Sequence, residues 1–388
     1  MKNINNFFYA FWIVFFTFGN CKEAISSNIS SQSLELYDSN RNRLVPIEIY
    51  YPSELDNNIS GGNFHVIIFG HGFLMDWMAY ENFWTSLVPD GYVLCFPKTE
   101  MSFSPNHQDF GDDIKFIAQQ MQFLNTDSSS IYFEALSEKT VLMGHSMGGG
   151  ASFLAAQNNE NIHALINFSA AETNPSASSA AENISVPTLL FSGTDDCVTP
   201  SNVHQTPIFN ALTSQCKTHV TITNGRHCYF AEDNINCNLG ELFCGEAEIN
   251  RNEQHEITLG LVKKYLNYVL FESKKYLQIL IESLMTSTEI LYESSCEELS
   301  YTQISDIDNF KVFPNPTSDI FKITTNEKNI GGTLKIFNVM GEQLIETKIT
   351  ESSFTLDRNQ LKNGIYTLYY SIKRKIFTEK LVITEDIK

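Results

Sequence analysis

The chain has 388 residues, 43% of them apolar, and a formal net charge of −19. That apolar content argues against a mainly disordered chain, and at about 150 residues per domain the length suits two domains, or one large α/β domain with an appendage. The acidic balance argues against nucleic acid as a partner, because a phosphate backbone demands basic patches; the imbalance is also uneven, with 12 basic and 9 acidic residues from Phe310 onward against 14 and 36 before it.

Residues 1–24 read as a secretory signal. Lys2 supplies the positive start, and "FFYAFWIVFFTFG" (Phe7 to Gly19) is an apolar run too short to span a bilayer. Cys21 follows it, but "FGN" before that cysteine is a poor lipidation site. Next, "IEIYY" (Ile47 to Tyr51), "FHVIIFG" (Phe64 to Gly70) and "YVLCFP" (Tyr92 to Pro97) read as strands, the last two as continuous apolar runs of the buried kind. "MAYENFWTSLVPDG" and "FGDDIKFIAQQMQFLN" read as helices, the second with Ile114, Ile117 and Met121 at helical spacing. "TVLMG" then leads into "GHSMGGG" (Gly144 to Gly150), followed by the small-residue helix "MGGGASFLAAQ".

The alternation goes on with strands "HALINFS", "PTLLFSG" and "THVTIT", and a helix in "PSNVHQTPIFNALTS". Strands alternating with helices predict a doubly wound, mostly parallel sheet, whose functional residues gather at the carboxyl ends of its strands. A long helical region is predicted from about Gln254 to Glu293, with the apolar stripe of "YLQILIESLMTSTEILYE" packing on the sheet domain. After Asp308 the texture changes to turn signals and short alternating strands, which predicts a separate small β-domain. The expected organisation is a signal peptide over 1–24, an α/β catalytic domain over 30–272, a helical extension and linker over 273–305, and the β-domain over 308–388.

Gly144, Ser146 and Gly148 meet G-x-S-x-G, a pattern in which a strand ends in a sharp turn that projects a serine hydroxyl. A serine becomes nucleophilic only when an imidazole takes its proton, and the imidazole works best beside a carboxylate. On this sheet type the order along the chain is serine, acid, histidine. "LLFSGTDDCVTP" offers Asp195 and Asp196; Asp196 is preferred because the first aspartate after such a strand often caps the turn, and Glu172 is an alternative. His227 in "NGRHCYF" follows a strand directly, whereas His204 opens a helix, His219 lies within a strand and His255 is on a later helix. The N–H groups of Met147 and Phe73 are the expected oxyanion donors, with His71 and Gly72 shaping the turn before Phe73.

Eight cysteines in an exported chain point to disulfides. Cys197 and Cys228 adjoin the expected acid and histidine, so a bridge between them would tie those two loops, with Cys237 and Cys244 as a second closure; Cys197 with Cys216 remains open. The spacing does not suit a zinc site, and no metal or cofactor is expected.

With these parts in order, the region from about Leu34 to Phe271 resembles the α/β-hydrolase fold. Within it the likeness is to the dienelactone-hydrolase-like esterases, which include cutinase-like polyester hydrolases, chlorophyllases and platelet-activating-factor acetylhydrolases. "RNRLVPIEIYYP", "VIIFGHGF", "GHSMGGG", "VPTLLFSGTDDCVTP" and "GRHCYF" carry it. The resemblance implies a serine carboxylester hydrolase with Ser146, Asp196 and His227 as its triad. It makes Phe73, Met147 and Trp77 candidates for an apolar acyl or alcohol site. The polyester hydrolases share the Ser-Met elbow, an aromatic residue at the place of Phe73, and a disulfide joining the acid and histidine loops. They usually carry a tryptophan in the stretch that here reads "NFSAAETNP".

"VFPNPTSDIFKI", "IFNVMGEQL" and "LKNGIYTLYY" resemble the C-terminal sorting domain of type IX secretion in Bacteroidota, a small β-sandwich. This implies passage across the outer membrane, followed by release or surface attachment. The expected partners are a small or polymeric ester and, through the tail, the secretion machinery; the chain is expected to be a monomer. The other readings are an acyltransferase or peptidase with the same triad, and a non-catalytic surface adhesion protein.

Overall fold

The computed structural model describes residues 28–53, 59, 62–296, 310–325, 330–338, 343–358, 361–372 and 375–384. The signal segment expected over 1–24, Cys21 within it, and 297–305 of the expected linker lie outside the described residues. Two compact units emerge: one runs to residue 291 except for 215–218, and the other comprises those four residues and 292 onward.

The first unit holds all but the start of β8 and the end of β9 of a nine-stranded sheet of β1 (Asn28–Asp38), β2 (Arg43–Ser53), β3 (Phe64–Gly70), β4 (Tyr92–Pro97), β5 (Leu136–His145), β6 (Ile162–Phe168), β7 (Thr188–Gly193), β8 (Lys217–Ile222) and β9 (Ile290–Ser294). Their order across the sheet is β1-β2-β4-β3-β5-β6-β7-β8-β9. β3 runs parallel to β4 and β5, β5 to β6, and β6 to β7, whereas β2 is antiparallel to both its neighbours. Every residue of β4 and β7 is buried, as a strand covered on both faces requires. The helices are α1 (Glu81–Leu87), α2 (His107–Thr126), α3 (Met147–Ala156), α4 (Ala177–Ala181), α5 (Gln205–Ala211), α6 (Ile235–Gly240), α7 (Arg251–Phe271) and α8 (Lys274–Thr286). Gly70 pairs with Gly144, and Gly144 with Asn167, so the turns after β3 and β5 leave the sheet side by side.

Two elements depart from the sequence expectation. β1 pairs with β2 along its whole length, but its "NISSQSLELYD" carries too few apolar residues to signal a strand. The helical stripe ends with buried Leu284, and after Ser287 the chain turns into β9 beside β8. Ile290 and Tyr292 suit an extended edge better than a further helical turn. The rest of that stripe behaves as expected: Leu277, Leu280, Ile281 and Leu284 are buried.

The second unit has a three-stranded sheet of β10 (Lys311–Phe313), β11 (Ile320–Thr324) and β14 (Ser353–Asp357). A four-stranded sheet holds β12 (Thr333–Asn338), β13 (Gln343–Lys348), β15 (Gly364–Ile372) and β16 (Lys375–Ile383). Phe321 and Ile323 from one sheet and Leu334, Ile336, Leu368 and Tyr370 from the other share one core, which makes this unit a small β-sandwich. Among the described residues no helix is long and apolar enough to cross a membrane.

Candidate active site

Ser146 stands between β5 and α3 with φ 53° and ψ −119°, a backbone that a residue with a side chain rarely adopts. It is held there from two sides. Its N–H donates to the Phe168 carbonyl (3.0 Å), and its carbonyl accepts from Gly150 (3.1 Å) and Ala171 (2.9 Å). Close approach explains the glycines: a Cβ on Gly148 would lie 2.2 Å from the Gly70 carbonyl, and one on Gly144 would lie 2.4 Å from the Gly148 oxygen. Any side chain at either place would push α3 off the strand ends. Ser146 itself is 8% exposed.

The Asp196 carboxylate is saturated with donors. Oδ1 accepts from the amides of Val198 (2.9 Å) and Thr199 (2.7 Å), and Oδ2 accepts from Thr199 Oγ1 (2.9 Å) and His227 Nδ1 (2.9 Å). Burial alone would raise its pKa, but the charge and hydrogen bond of His227, with those of Ser169 and Thr199, outweigh it and hold the carboxyl well below the usual range. Asp195 takes a different part: its amide donates to Gly225 and its carboxylate accepts from Thr194. Glu172 accepts from the Ser178 amide and has no bond to His227.

The His227 loop is fixed through its backbone. Gln254 exchanges two hydrogen bonds of 2.8 Å with the main chain of Arg226, Glu241 accepts from the Cys228 amide at 2.9 Å, and Arg251 donates to the Cys228 and Ala231 carbonyls. His227 Nδ1 faces Asp196, and Nε2 makes no hydrogen bond to the described residues. The His145 ring, next in sequence to Ser146, lies 4.7 Å from the His227 ring, so elbow and histidine loop meet. His204, His219 and His255 are engaged elsewhere, by the Glu172 amide, Ser192 and the Ala231 carbonyl.

Phe73 lies in the turn after β3, which the Met75 N–H closes on the Gly72 carbonyl; the residue is 45% exposed and its amide has no acceptor among the described residues. Met147 opens α3, so its amide has no acceptor four residues back within the helix. The Met147 side chain is another matter: it is 3% exposed and packs in the main core, so it lines no open wall. Trp77 lies under Lys98, whose Nζ is 4.3 Å from the ring centroid. No group of three or more ligands suited to a metal ion occurs among the described residues.

All four cysteines named for bridges are bridged, but with exchanged partners: Cys197 joins Cys244 and Cys228 joins Cys237, while Cys216 joins Cys296. Each of the two turns is therefore tied to the 235–245 segment and not to the other turn, whose link is the Asp196–His227 contact itself. Cys95 is free and buried.

Thr199, Gln205, Tyr80 and His145 escaped the sequence reading. Thr199 Oγ1 touches Asp196 Oδ2, His227 Nδ1 (3.0 Å) and the Ser169 carbonyl (3.1 Å), and Gln205 reaches it from α5 at 3.3 Å. The signal for Thr199 was present, since a threonine three residues after an aspartate in a turn is an Asx-type partner. Nothing local marks the other three.

A family model described as PET hydrolase-like matches residues 45–245, and one described as a secretion system C-terminal sorting domain matches residues 311–384. Similar proteins include cutinase est1 of Thermobifida alba, 30% identical over 122 residues, which are 31% of this chain and 39% of that protein. Cutinase 1 of Thermobifida cellulosilytica is 30% identical over 105 residues, 27% of this chain and 38% of its own. A cutinase of Thermobifida fusca (strain YX) matches equally over 105 residues, 34% of its length. The chain thus spans less than two fifths of these curated relatives. The sorting domain indicates export to the cell surface or the medium. Since the first model covers more than half of the residues, the chain belongs to the PET hydrolase-like family.

Proposed function

We propose that the protein is an exported serine carboxylester hydrolase that cleaves a neutral or apolar ester through an acyl-enzyme. Ser146 is the nucleophile, His227 the general base and then acid, and Asp196 the group that orients the imidazole. The observation that carries this is the 2.9 Å contact of His227 Nδ1 with a fully bonded Asp196, on a loop that meets the strained elbow at Ser146.

In the reaction His227 Nε2 takes the Ser146 hydroxyl proton as Oγ bonds to the ester carbonyl carbon. The carbonyl π electrons move to oxygen, and the amides of Met147 and Phe73 donate to that oxyanion. When the carbonyl re-forms, the bond to the alcohol oxygen breaks, and His227 gives its proton to the leaving alkoxide. Water then repeats both steps on the acyl-serine, releasing the acid and restoring the Ser146 hydroxyl. Asp196 stays ionised throughout, which favours the imidazolium in both half-reactions. The cutinase names of the relatives make an apolar polyester a candidate substrate, and exposed Phe73 is the side chain best set to meet it.

The test is hydrolysis of p-nitrophenyl butyrate and a longer-chain analogue by the wild type, Ser146→Ala and His227→Ala. Either substitution is expected to lower kcat by about 10⁶. Equal rates in all three proteins would overturn the assignment.

A further inference from the structure

Tyr80 ends the 3-10 turn Trp77–Tyr80 and is fully buried. Its hydroxyl accepts from the Gly72 amide at 2.7 Å and lies 3.0 Å from His145 Nδ1 and 3.4 Å from Met75 Sδ. On the far side of the imidazole, His145 Nε2 lies 3.0 Å from the His227 carbonyl oxygen. A carbonyl only accepts, so Nε2 carries the proton of His145, and Nδ1 is left as an acceptor. The Tyr80 proton goes to that nitrogen, a better acceptor than a thioether. One tautomer therefore satisfies a chain of donors that runs one way, from the Gly72 N–H through the Tyr80 O–H and the His145 Nε2–H to the His227 carbonyl. Burial, reinforced by the neighbouring His227, holds His145 well below the ordinary imidazole range, so it stays neutral beside the ring that must gain charge.

The ends of this chain are backbone atoms beside the two functional groups. Gly72 precedes Phe73, and the other end is His227 itself. The turn packs closely on this pair: a Cβ at Gly72 would lie 2.7 Å from Met75 Sδ and 3.2 Å from both His145 Nδ1 and the Tyr80 hydroxyl, so any side chain there would displace them. A general polar core pair would have no need to join the turn after β3, the end of β5 and the loop after β8.

We infer that Tyr80 and His145 are positioning residues that lock the oxyanion turn at Gly72 and Phe73 to the His227 loop, an inference that rests on the ester-hydrolase reading above. The oxyanion donor and the base must both be in place before the substrate arrives, and a displacement of 1 Å can cost about 100-fold in rate.

In the full chain, Tyr80→Phe, His145→Gln and the double variant are compared with wild type on p-nitrophenyl butyrate and by ¹⁵N-histidine NMR. Each single variant is expected to lose about 10- to 100-fold in kcat with KM within about threefold. The double variant is expected to lie within about threefold of the poorer single, because both substitutions cut one chain. NMR is expected to show His145 as the Nε2–H tautomer, and Tyr80→Phe is expected to shift the amides of both Phe73 and His227. A folded Tyr80→Phe with kcat within about twofold of wild type, or multiplying effects in the double variant, overturns the inference. If Tyr80→Phe fails to fold, unchanged kcat in His145→Gln overturns it equally. A wild type inert on esters sinks the hydrolase reading instead; the chain then stands or falls on the NMR, where an Nδ1–H tautomer or shifts confined to the residues around Tyr80 contradict it.

Discussion

In the first unit β4 and β7 are buried at every residue, whereas in the second β15 alternates exposed and buried positions along most of its length. Buried ionisable groups follow the same division. His71, Asp113, His145, Asp196, His219, Arg226 and His227 are all buried in the first unit, whereas from Phe310 onward no Asp, Glu, His, Lys or Arg is buried among the described residues and the buried polar groups are Thr317, Thr325 and the phenols of Tyr366 and Tyr370. A sheet covered on both faces sends its loops to one common edge, where polar side chains can be buried against one another and desolvated groups acquire unusual chemistry. A sandwich with one core and a wet outer face offers no such place. If the proposed chemistry holds, it belongs to the first unit, and the second, matched by the sorting-domain model, serves export.

Five variants put that division to the test. The largest effect is expected in kinetics from Asp196→Asn, which keeps the shape of the buried carboxylate but loses its charge and should lower kcat on the order of 10⁴. Asp195→Asn, one residue away on the turn, should change kcat by less than about threefold, because its carboxylate meets only Thr194 among the described residues. The reverse ranking would move the acid.

Next in size is the closure of the acid turn. Cys197 and Cys244 are 47 residues apart, and replacing both by serine should cost about 4 kcal/mol in the chain-entropy account. That should appear as a drop of roughly 8–16 °C in Tm by calorimetry. A drop under about 2 °C would mean that hydrogen bonding, and not the bridge, holds this loop.

The buried histidines give a pH signature. Burial pushes His219 down to about 4. Its unfolded form binds a proton near pH 6.5, so its contribution is full above that pH and is lost as pH falls toward 4, in all about 3 kcal/mol. Denaturant unfolding at pH 7 and pH 4.5 should therefore show a steeper loss in wild type than in His219→Gln. Parallel losses would show that this histidine is not desolvated.

The smallest effect belongs to the second unit. A chain ending at residue 300 should keep kcat/KM within about twofold on soluble esters, as expected if the hydrolase unit folds alone. A tenfold loss would tie catalysis to the tail.

Much of this was legible in the sequence because the signals are local. Continuous apolar runs marked β3, β4 and β7, and the glycines around Ser146 marked a turn that tolerates no side chain. Asp196 and His227, which the fold brings to 2.9 Å, were readable for the same reason, since each stands in the loop that directly follows a strand. The disulfide partners were not, since adjacency to Asp196 and His227 in sequence says nothing of where the next side chain points. Met147 shows the same limit: its amide and its side chain face different surroundings. Tyr80 and His145 could not be found at all, because their partners lie 65 and 82 residues away in the chain and are joined only by the fold.

The central claim is that Ser146 is the nucleophile of an esterase. Mass spectrometry after reaction with a p-nitrophenyl alkylphosphonate tests it most directly. One phosphonyl adduct is expected, on the peptide holding Ser146, and none in His227→Ala over the same time. An adduct on another residue, or ester hydrolysis that persists in Ser146→Ala, would contradict it.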